Sequence, residues 1–561
     1  MADLFELDCR DAATFGIEPD TGENTADRIR AFIRDGLNEG VRVFRFKRGR
    51  YEIADAKAIQ DFETLMAGNG SWDLGNDTEN KNVLIRAEGI ERIVLDFQGS
   101  TLMCHGLIQP FCFKNCSRVE IRNVVVDWSR PPFSQGRIVS VDEDGFEIEF
   151  DSEYPVRSGI PVAGLIDYIP GTDYPLRGTV DWFHIAERTE LTGPQTLRVT
   201  LKESLRARMR EGGGGNRAAP EIEMSVIVRH VMNYKAAFLF YGCDRVELEN
   251  ATVYAAPGMG VIGHNCGDVS MRELRVMRRP GSGRIMSANT DATHFIGCMG
   301  TIEFDDCLFE GMGDDATNVH GFYLSIRERK EDDTLLCGVD ADIQSEFTEV
   351  PVVGDAIEFT SRRDLQPYAT LHVCEVETDE DRGIALRFKE PLPERFSADD
   401  LLANASRIAK LRFRDSIVRN NRARAILVQT RDAVISGNTF DHCTGTAIHV
   451  NCADGWKEAI STANVTVTRN EFLSCGFGAG TYRKTSALAV MTESERAGLG
   501  THRSFAFTDN FIRGNGAVAV RLESLDTALV SGNRFEEAGE AVSVDEATCE
   551  RVVVEEQGAV P

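Results

Sequence analysis

At 561 residues the chain exceeds what one compact core usually holds, so it is either several domains or one elongated repeat. Its composition, 42% hydrophobic and 27% charged, is that of a well-folded chain. The 89 acidic against 62 basic side chains give a formal charge of −27, a field that disfavours nucleic acid and anionic membranes as partners and favours a neutral ligand over a polyanion.

The first residues, MADLFELDCRD, show no basic segment followed by an apolar one, and no run of 18 apolar residues occurs. As written the chain reads as cytoplasmic; a leader removed beforehand would make it secreted or periplasmic. The 14 cysteines follow no disulfide framework and no Cys/His cluster of zinc type, so buried thiols are expected, with no metal and no cofactor. Residues 24–53 read as an amphipathic helix and then a strand. Ile29, Phe32, Ile33 and Leu37 share one face, Asn24 or Thr25 caps the start and Gly40 closes the end. Such a helix would cover the open edge of a first coil.

Short apolar strands that run into a small or polar residue recur along the chain, most clearly in VISGNTF (434–440), VTVTRNEF (465–472), FTDNFI (507–512) and LVSGNRF (529–535). The equivalent positions are Ala251, Leu274, Asp306, Ser416, Asn438, Asn470, Asn510 and Asn533, with shortest steps of 22 and 23 residues. A period near 22, rich in β-branched and aromatic residues and broken by Asn and Gly, fits coils of a right-handed parallel β-helix. A leucine-rich repeat would show a leucine lattice that is absent, and a barrel or propeller would show more hairpin signals.

Two stretches break the repeat and resemble each other: RIVSVDEDGFEIEFDSEYP (137–155) and HVCEVETDEDRGIALRFKEPLP (372–393). Alternation through Phe146, Ile148 and Phe150, and through Ile384, Leu386 and Phe388, marks antiparallel half-buried strands. The fold class is therefore all-β: a parallel β-helix with an N-terminal capping helix and two small inserted antiparallel barrels or sandwiches. The expected boundaries are 1–128 for the cap and first coils, 129–221 for the first insertion and 222–321 for the coils between. The second insertion is expected at 322–410 and the last coils at 411–561.

Between the insertions lie SANTDATHF (287–295) and GMGDDATNVHG (311–321). Asp291 and Asp314 are 23 residues apart, one coil, and should stack about 4.8 Å apart with Asp315 beside them. Three crowded carboxylates repel, which lifts at least one pKa into the range of a general acid, and glycosidases need one carboxyl as acid and another as base or nucleophile. Turn chemistry explains one Asp per coil, not this doublet plus a third. Neighbouring residues of a strand face opposite ways, so Asp314 and Asp315 can share a site only if the Gly311–Gly313 segment bends.

NTD (289–291), GDD (313–315) and VHG (319–321) resemble three signatures of the polygalacturonases, inverting β-helix hydrolases, but their basic Arg-Ile-Lys element is missing; the nearest basic cluster, Arg327 to Lys330, does not match. The chain is more similar, over nearly its whole length, to glycoside hydrolase family 110, the exo-acting α-1,3-galactosidases. That resemblance implies inverting, metal-free release of terminal galactose from galactose-terminated glycans, branched blood-group B structures for some members and linear termini for others. It implies Asp314 as general acid, with Asp291 and Asp315 holding and deprotonating the water. His294 and His320 flank the trio and either orient substrate hydroxyls or pack structurally. PGMGVIGHN (257–265) parallels GMGDDATN and adds His264 and Asn265 as candidate sugar contacts, with Asn289 and Asn318 from the two motifs. Gln429, Arg431, Asn451 and Trp456 on later coils could line the same groove, Trp456 as a sugar platform or as a plain loop residue. Arg279 or Arg284 of MRRPGSGR either approaches the sugar or is solvated. The competing functions are a polygalacturonase-like hydrolase, a polysaccharide lyase and a non-catalytic glycan-binding β-helix; a homodimer is compatible with all of them.

Overall fold

A computed structural model describes residues 9–68, 82–176, 182–183, 185–210, 220–231, 235–338, 350–379, 383–478, 485–514, 518–555 and 558–559. Three strand columns run along the chain as a parallel β-helix. One column passes through Phe238–Tyr241, Val261–His264, Thr293–Ile296, Thr317–Arg329, Ile426–Gln429 and Ile448–Val450, each paired in parallel with the next. The other two are carried by Asp268–Arg272 and Arg275–Val276 in one coil and by Thr301–Asp305 and Leu308–Glu310 in the next. Inward side chains fill the interior with stacked aromatics such as Phe111 on Phe238, 4.7 Å between centroids, and Phe440 on Phe472 at 5.0 Å. All cysteines but Cys9, Cys374 and Cys549 are buried.

The corner between the second and third columns explains the repeat. One residue there takes left-handed backbone: Glu273 (φ 53°), Asp306 (φ 51°), Asp415 (φ 51°), Arg469 (φ 54°) or Asp509 (φ 58°). The residue after it turns inward, and in later coils it is asparagine. The N–H groups of Asn438, Asn470 and Asn510 donate to the side-chain oxygens of Asn470, Asn510 and Asn533 at 3.0, 2.9 and 2.9 Å. This ladder satisfies backbone groups that the corner takes out of the strand pattern. It also corrects one alignment. Leu308 lies opposite Arg275 and Ile417, so the equivalent of Leu274 and Ser416 is Cys307, and Asp306 is the left-handed corner residue.

The expected helix spans Ala26–Asn38 and buries Ile29, Phe32 and Ile33. Asn24 rather than Thr25 caps it, its side-chain oxygen accepting from the Ala26 N–H at 3.0 Å. A second helix, Ala56–Met66, was not anticipated; Asp55 caps it by accepting from the N–H groups of Lys57 and Ala58. No helix among the described residues is long and apolar enough to cross a membrane.

The first insertion is a seven-stranded antiparallel sheet. It begins with Phe133–Asp142 and ends with Ser225–Arg229, so it extends eight residues past the expected boundary at 221. In the second insertion the strand Thr317–Arg329 leaves the helix and pairs antiparallel with Thr334–Gly338 and Leu401–Asn404. Half-buried ion pairs hold both insertions against the coils. Arg278 joins Asp173 of the first insertion to Glu310, and Arg431 grips Glu358 of the second through two hydrogen bonds of 2.9 and 2.8 Å.

Replacing Asn470 by Ala should leave the Asn438 N–H without its acceptor and lower the stability to urea by about 2–4 kcal/mol, the cost of a buried unsatisfied donor plus lost hydrogen bonds. An unchanged urea midpoint would show that the ladder is decorative.

Candidate active site

Asp291 and Asp315 sit in the turns that lead into Thr293–Ile296 and Thr317–Arg329. Those strands pair with Thr293 opposite Thr317, and the Ala292 N–H donates to the Asp315 carbonyl at 2.9 Å. The coil therefore advances 24 residues here, not 23, and Asp291 lies level with Asp315 rather than with Asp314. Asp314 still joins them, because 311–316 is bent backbone rather than strand. The bend packs hard onto the coil before it: a Cβ on Gly313 would fall 2.3 Å from the Asn289 carbonyl oxygen, so only glycine fits. Each carboxylate has an oxygen within 4.8 Å of the other two.

Two arginines from the next coil supply the counter-charge, and sequence reasoning missed both. Arg422 pairs with Asp314 at 2.8 Å. Arg424, level with Asp315 one coil on, holds it through side-chain contacts of 2.9 and 2.6 Å and a backbone N–H at 2.8 Å. Burial pushes all three carboxyls up. At Asp314 the charges of Arg422, Arg424 and Arg229 outweigh it and hold that group below the usual carboxylate range. Asp315 is pushed up to about 7, burial and the neighbouring carboxylates prevailing over Arg424. Asp291 rises well above its ordinary value, through burial first and the charge of Asp314 second.

The hydrogen-bond network says where the proton of the trio rests. The Nδ1 of His320 donates to the Gly321 carbonyl at 2.7 Å, so in the neutral ring its Nε2 accepts. The Nε2 of His294, 2.9 Å away, is then the donor, which leaves its Nδ1 to accept from Asp291 at 2.7 Å. Burial lowers the pKa of both imidazoles, that of His320 to about 4, so they stay neutral and Asp291 holds a proton. The site thus combines an ionised Asp314, 29% exposed at its side chain, with a protonated Asp291 whose side chain is 8% exposed.

The other expected residues divide. His264, His320 and Gln429 occupy one column on the outer face of this sheet, and His294 and Asn318 the column beside it. Asn318 and Gln429 donate their amides to Glu458 at 3.1 and 2.8 Å, and Asn451 donates to Glu493 at 3.1 Å. Trp456, 54% exposed, sits on the turn just before Glu458. Five candidates serve the scaffold instead. Asn265 is a left-handed turn residue (φ 52°), and Asn289 ties its loop to the segment just after the first insertion by donating to the Val231 carbonyl at 2.5 Å. Arg431 is engaged with Glu358, while Arg284 and Arg279 pair with Asp127 at 2.8 and 3.3 Å.

Residues 401–548 match the family described as "Right handed beta helix region", and residues 346–402 match "GLAA-B beta-barrel domain II". The chain is 27% identical over 480 residues to Alpha-1,3-galactosidase B of Akkermansia muciniphila, an alignment covering 82% of this chain and 58% of that protein. It is 25% identical to Alpha-1,3-galactosidase A of Bacteroides fragilis strain YCH46, covering 89% and 82%. It is 29% identical to Alpha-1,3-galactosidase B of Parabacteroides distasonis, covering 83% and 77%. Among solved structures, an exopolygalacturonase of Thermotoga maritima aligns at 11% identity and a TM-score of 0.39, over 98% of this chain and 91% of that one.

The proton on Asp291 has a consequence for stability. Above the unfolded carboxyl value near about 3.9 and below the higher native one, the native state keeps a proton that the unfolded state has released, so rising pH lowers stability by up to about 1.4 kcal/mol per unit. Asn at 291 can donate to His294 without titrating. The urea stability of Asp291→Asn should therefore gain on that of the parent protein between pH 5 and pH 8; a constant difference would place the proton elsewhere.

Proposed function

We propose that the protein is an exo-acting glycoside hydrolase that releases terminal α-1,3-linked galactose from glycans with inversion. The observation that carries this reading is the trio itself: three carboxylates within 4.8 Å, with Asp314 held below the ordinary carboxylate range by arginines and Asp291 pushed above it by burial. Acid–base hydrolysis of a glycoside needs that division of states. Galactose as the sugar and the α-1,3 linkage rest on the likeness to proteins named alpha-1,3-galactosidase along four-fifths of the chain.

Asp314 is the member that retains exposure, so it is the one that reaches the departing oxygen. Its ion pair with Arg422 keeps it ionised before substrate arrives. A bound sugar strips its remaining water, which raises its pKa, and the proton held by Asp291 is available across at most 4.8 Å. Asp314 then passes that proton to the leaving oxygen. The carboxylate left behind takes a proton from the attacking water, so the trio ends with the proton count it began with. The positive charge that such an acidic cluster requires comes from Arg422 and Arg424, so metal chelators should leave activity intact.

One observation favours a second reading. Carboxyl groups closer than about 5.5 Å are typical of retaining glycosidases, whereas inverting ones usually leave about 6.5–9.5 Å for the water. Inversion is supported here by the NTD, GDD and VHG motifs. Proton NMR of the first product from an α-linked digalactoside decides between them: β-galactose is expected, and α-galactose would establish a covalent intermediate. Parallel assays on galacturonan, with unsaturated products monitored by absorbance, test the polygalacturonase and lyase alternatives.

Asp314→Asn should slow a disaccharide far more than an aryl galactoside with a good leaving group, since protonation matters in proportion to the basicity of the departing oxygen. Asp315→Asn should slow both substrates alike, whereas Asp291→Asn, which removes the proton that reaches Asp314, should share the leaving-group dependence of Asp314→Asn. Equal leaving-group dependence in all three variants would overturn these roles.

A further inference from the structure

Glu458 is a buried carboxylate outside the trio, 7% exposed. It arrives on the short strand Glu458–Ala459, which runs antiparallel to Thr317–Arg329 where that strand leaves the coil. Its two oxygens each accept one amide N–H, from Asn318 at 3.1 Å and from Gln429 at 2.8 Å. Asn318 lies opposite His294, and Gln429 opposite His320, so Glu458 stands against the same outer face as the Asp291–His294–His320 chain. Its charge is felt at all three of those residues.

This arrangement presents acceptors. With their nitrogens committed to Glu458, Asn318 and Gln429 turn their carbonyl oxygens the other way, and both oxygens are buried with no partner among the described residues. Asn451, its nitrogen on Glu493, does the same one coil further on. A carboxylate offers about four lone-pair sites, so Glu458 keeps room for further donors. Such a wall suits a ligand face rich in hydroxyl donors and disfavours one that carries negative charge.

We propose that Glu458 is a specificity residue of the sugar site: its carboxylate accepts a hydroxyl of the terminal galactose, and with Asn318 and Gln429 it forms a wall that rejects a uronic acid. The inference rests on the galactosidase reading and adds a residue that selects neutral hexose. It also gives a physical reason for the missing basic element: this wall attracts hydroxyl hydrogens, where a galacturonate carboxylate would need cations.

The test pairs protein variants with deoxygenated substrates. The parent protein, Glu458→Gln and Glu458→Ala are assayed on an α-1,3-digalactoside, on its analogues lacking one hydroxyl of the terminal ring, and on the corresponding α-galacturonide. In the parent protein, removal of one particular hydroxyl should cost about 10- to 100-fold in kcat/KM, the weight of a hydrogen bond to a charged group. In Glu458→Ala the same removal should cost little, and Glu458→Gln, which keeps the shape but trades an acceptor for a donor, should fall between. The parent should not cleave the galacturonide. Equal deoxygenation penalties in parent and variants, or turnover of the galacturonide at a comparable rate, would overturn the assignment while leaving the galactosidase reading in place. Failure of the parent protein to release galactose from any of these substrates would overturn that reading and this one with it. Thermal unfolding of both variants identifies simple misfolding; should Glu458→Ala misfold, the penalties in Glu458→Gln decide alone.

Discussion

Hydrogen bonding in register between successive coils sets a spacing of about 4.8 Å between side chains of one column, and at that spacing buried like charges repel unless opposite charge is stacked with them. Asp291, Asp315 and Arg424 occupy one such column, two carboxylates and then a guanidinium, with Arg422 answering Asp314 at its side. Each arginine meets one aspartate; the third carboxylate, buried beside Asp314 with an imidazole rather than a guanidinium as partner, is pushed well above its ordinary pKa. A difference in protonation between near neighbours thus follows from the order of residue types along a column. The same constraint, applied to a neutral amide, builds the asparagine ladder that runs through the later coils.

Burial gives these charges their leverage, and the insertions contribute to it. Arg229 closes the first insertion, donates to the carbonyl of Asn289 and adds to the positive field on Asp314. The second insertion is fastened by Glu358 to Arg431, while the strand it borrows from the helix carries Asn318 and His320. Arginines that resemble substrate ligands in the sequence prove to be fasteners: Arg431, Arg279 and Arg284 each meet a buried carboxylate of another element. Their value is positional, since a shift of either insertion would rehydrate the trio and relax the pKa differences within it.

The sequence itself determined the period, the inward apolar and asparagine positions, the capping helix over Ala26–Asn38 and the convergence of Asp291, Asp314 and Asp315, because each depends on contacts one coil apart or closer. Two-residue alternation that differs from the surrounding repeat marks both insertions in the sequence, but the first runs eight residues past the boundary read there. What only the tertiary structure decided lies across the insertions or within single-residue offsets. Arg424 meets Asp315 across 109 residues and Asn318 meets Glu458 across 140, because the second insertion separates coils that are adjacent in space. The level pairing of Asp291 with Asp315, and the exchange of Asp306 for Cys307 in the repeat, turn on one residue at a corner. A repeat count cannot see such an offset, since a bent turn absorbs an extra residue while the backbone hydrogen bonds on either side keep their register.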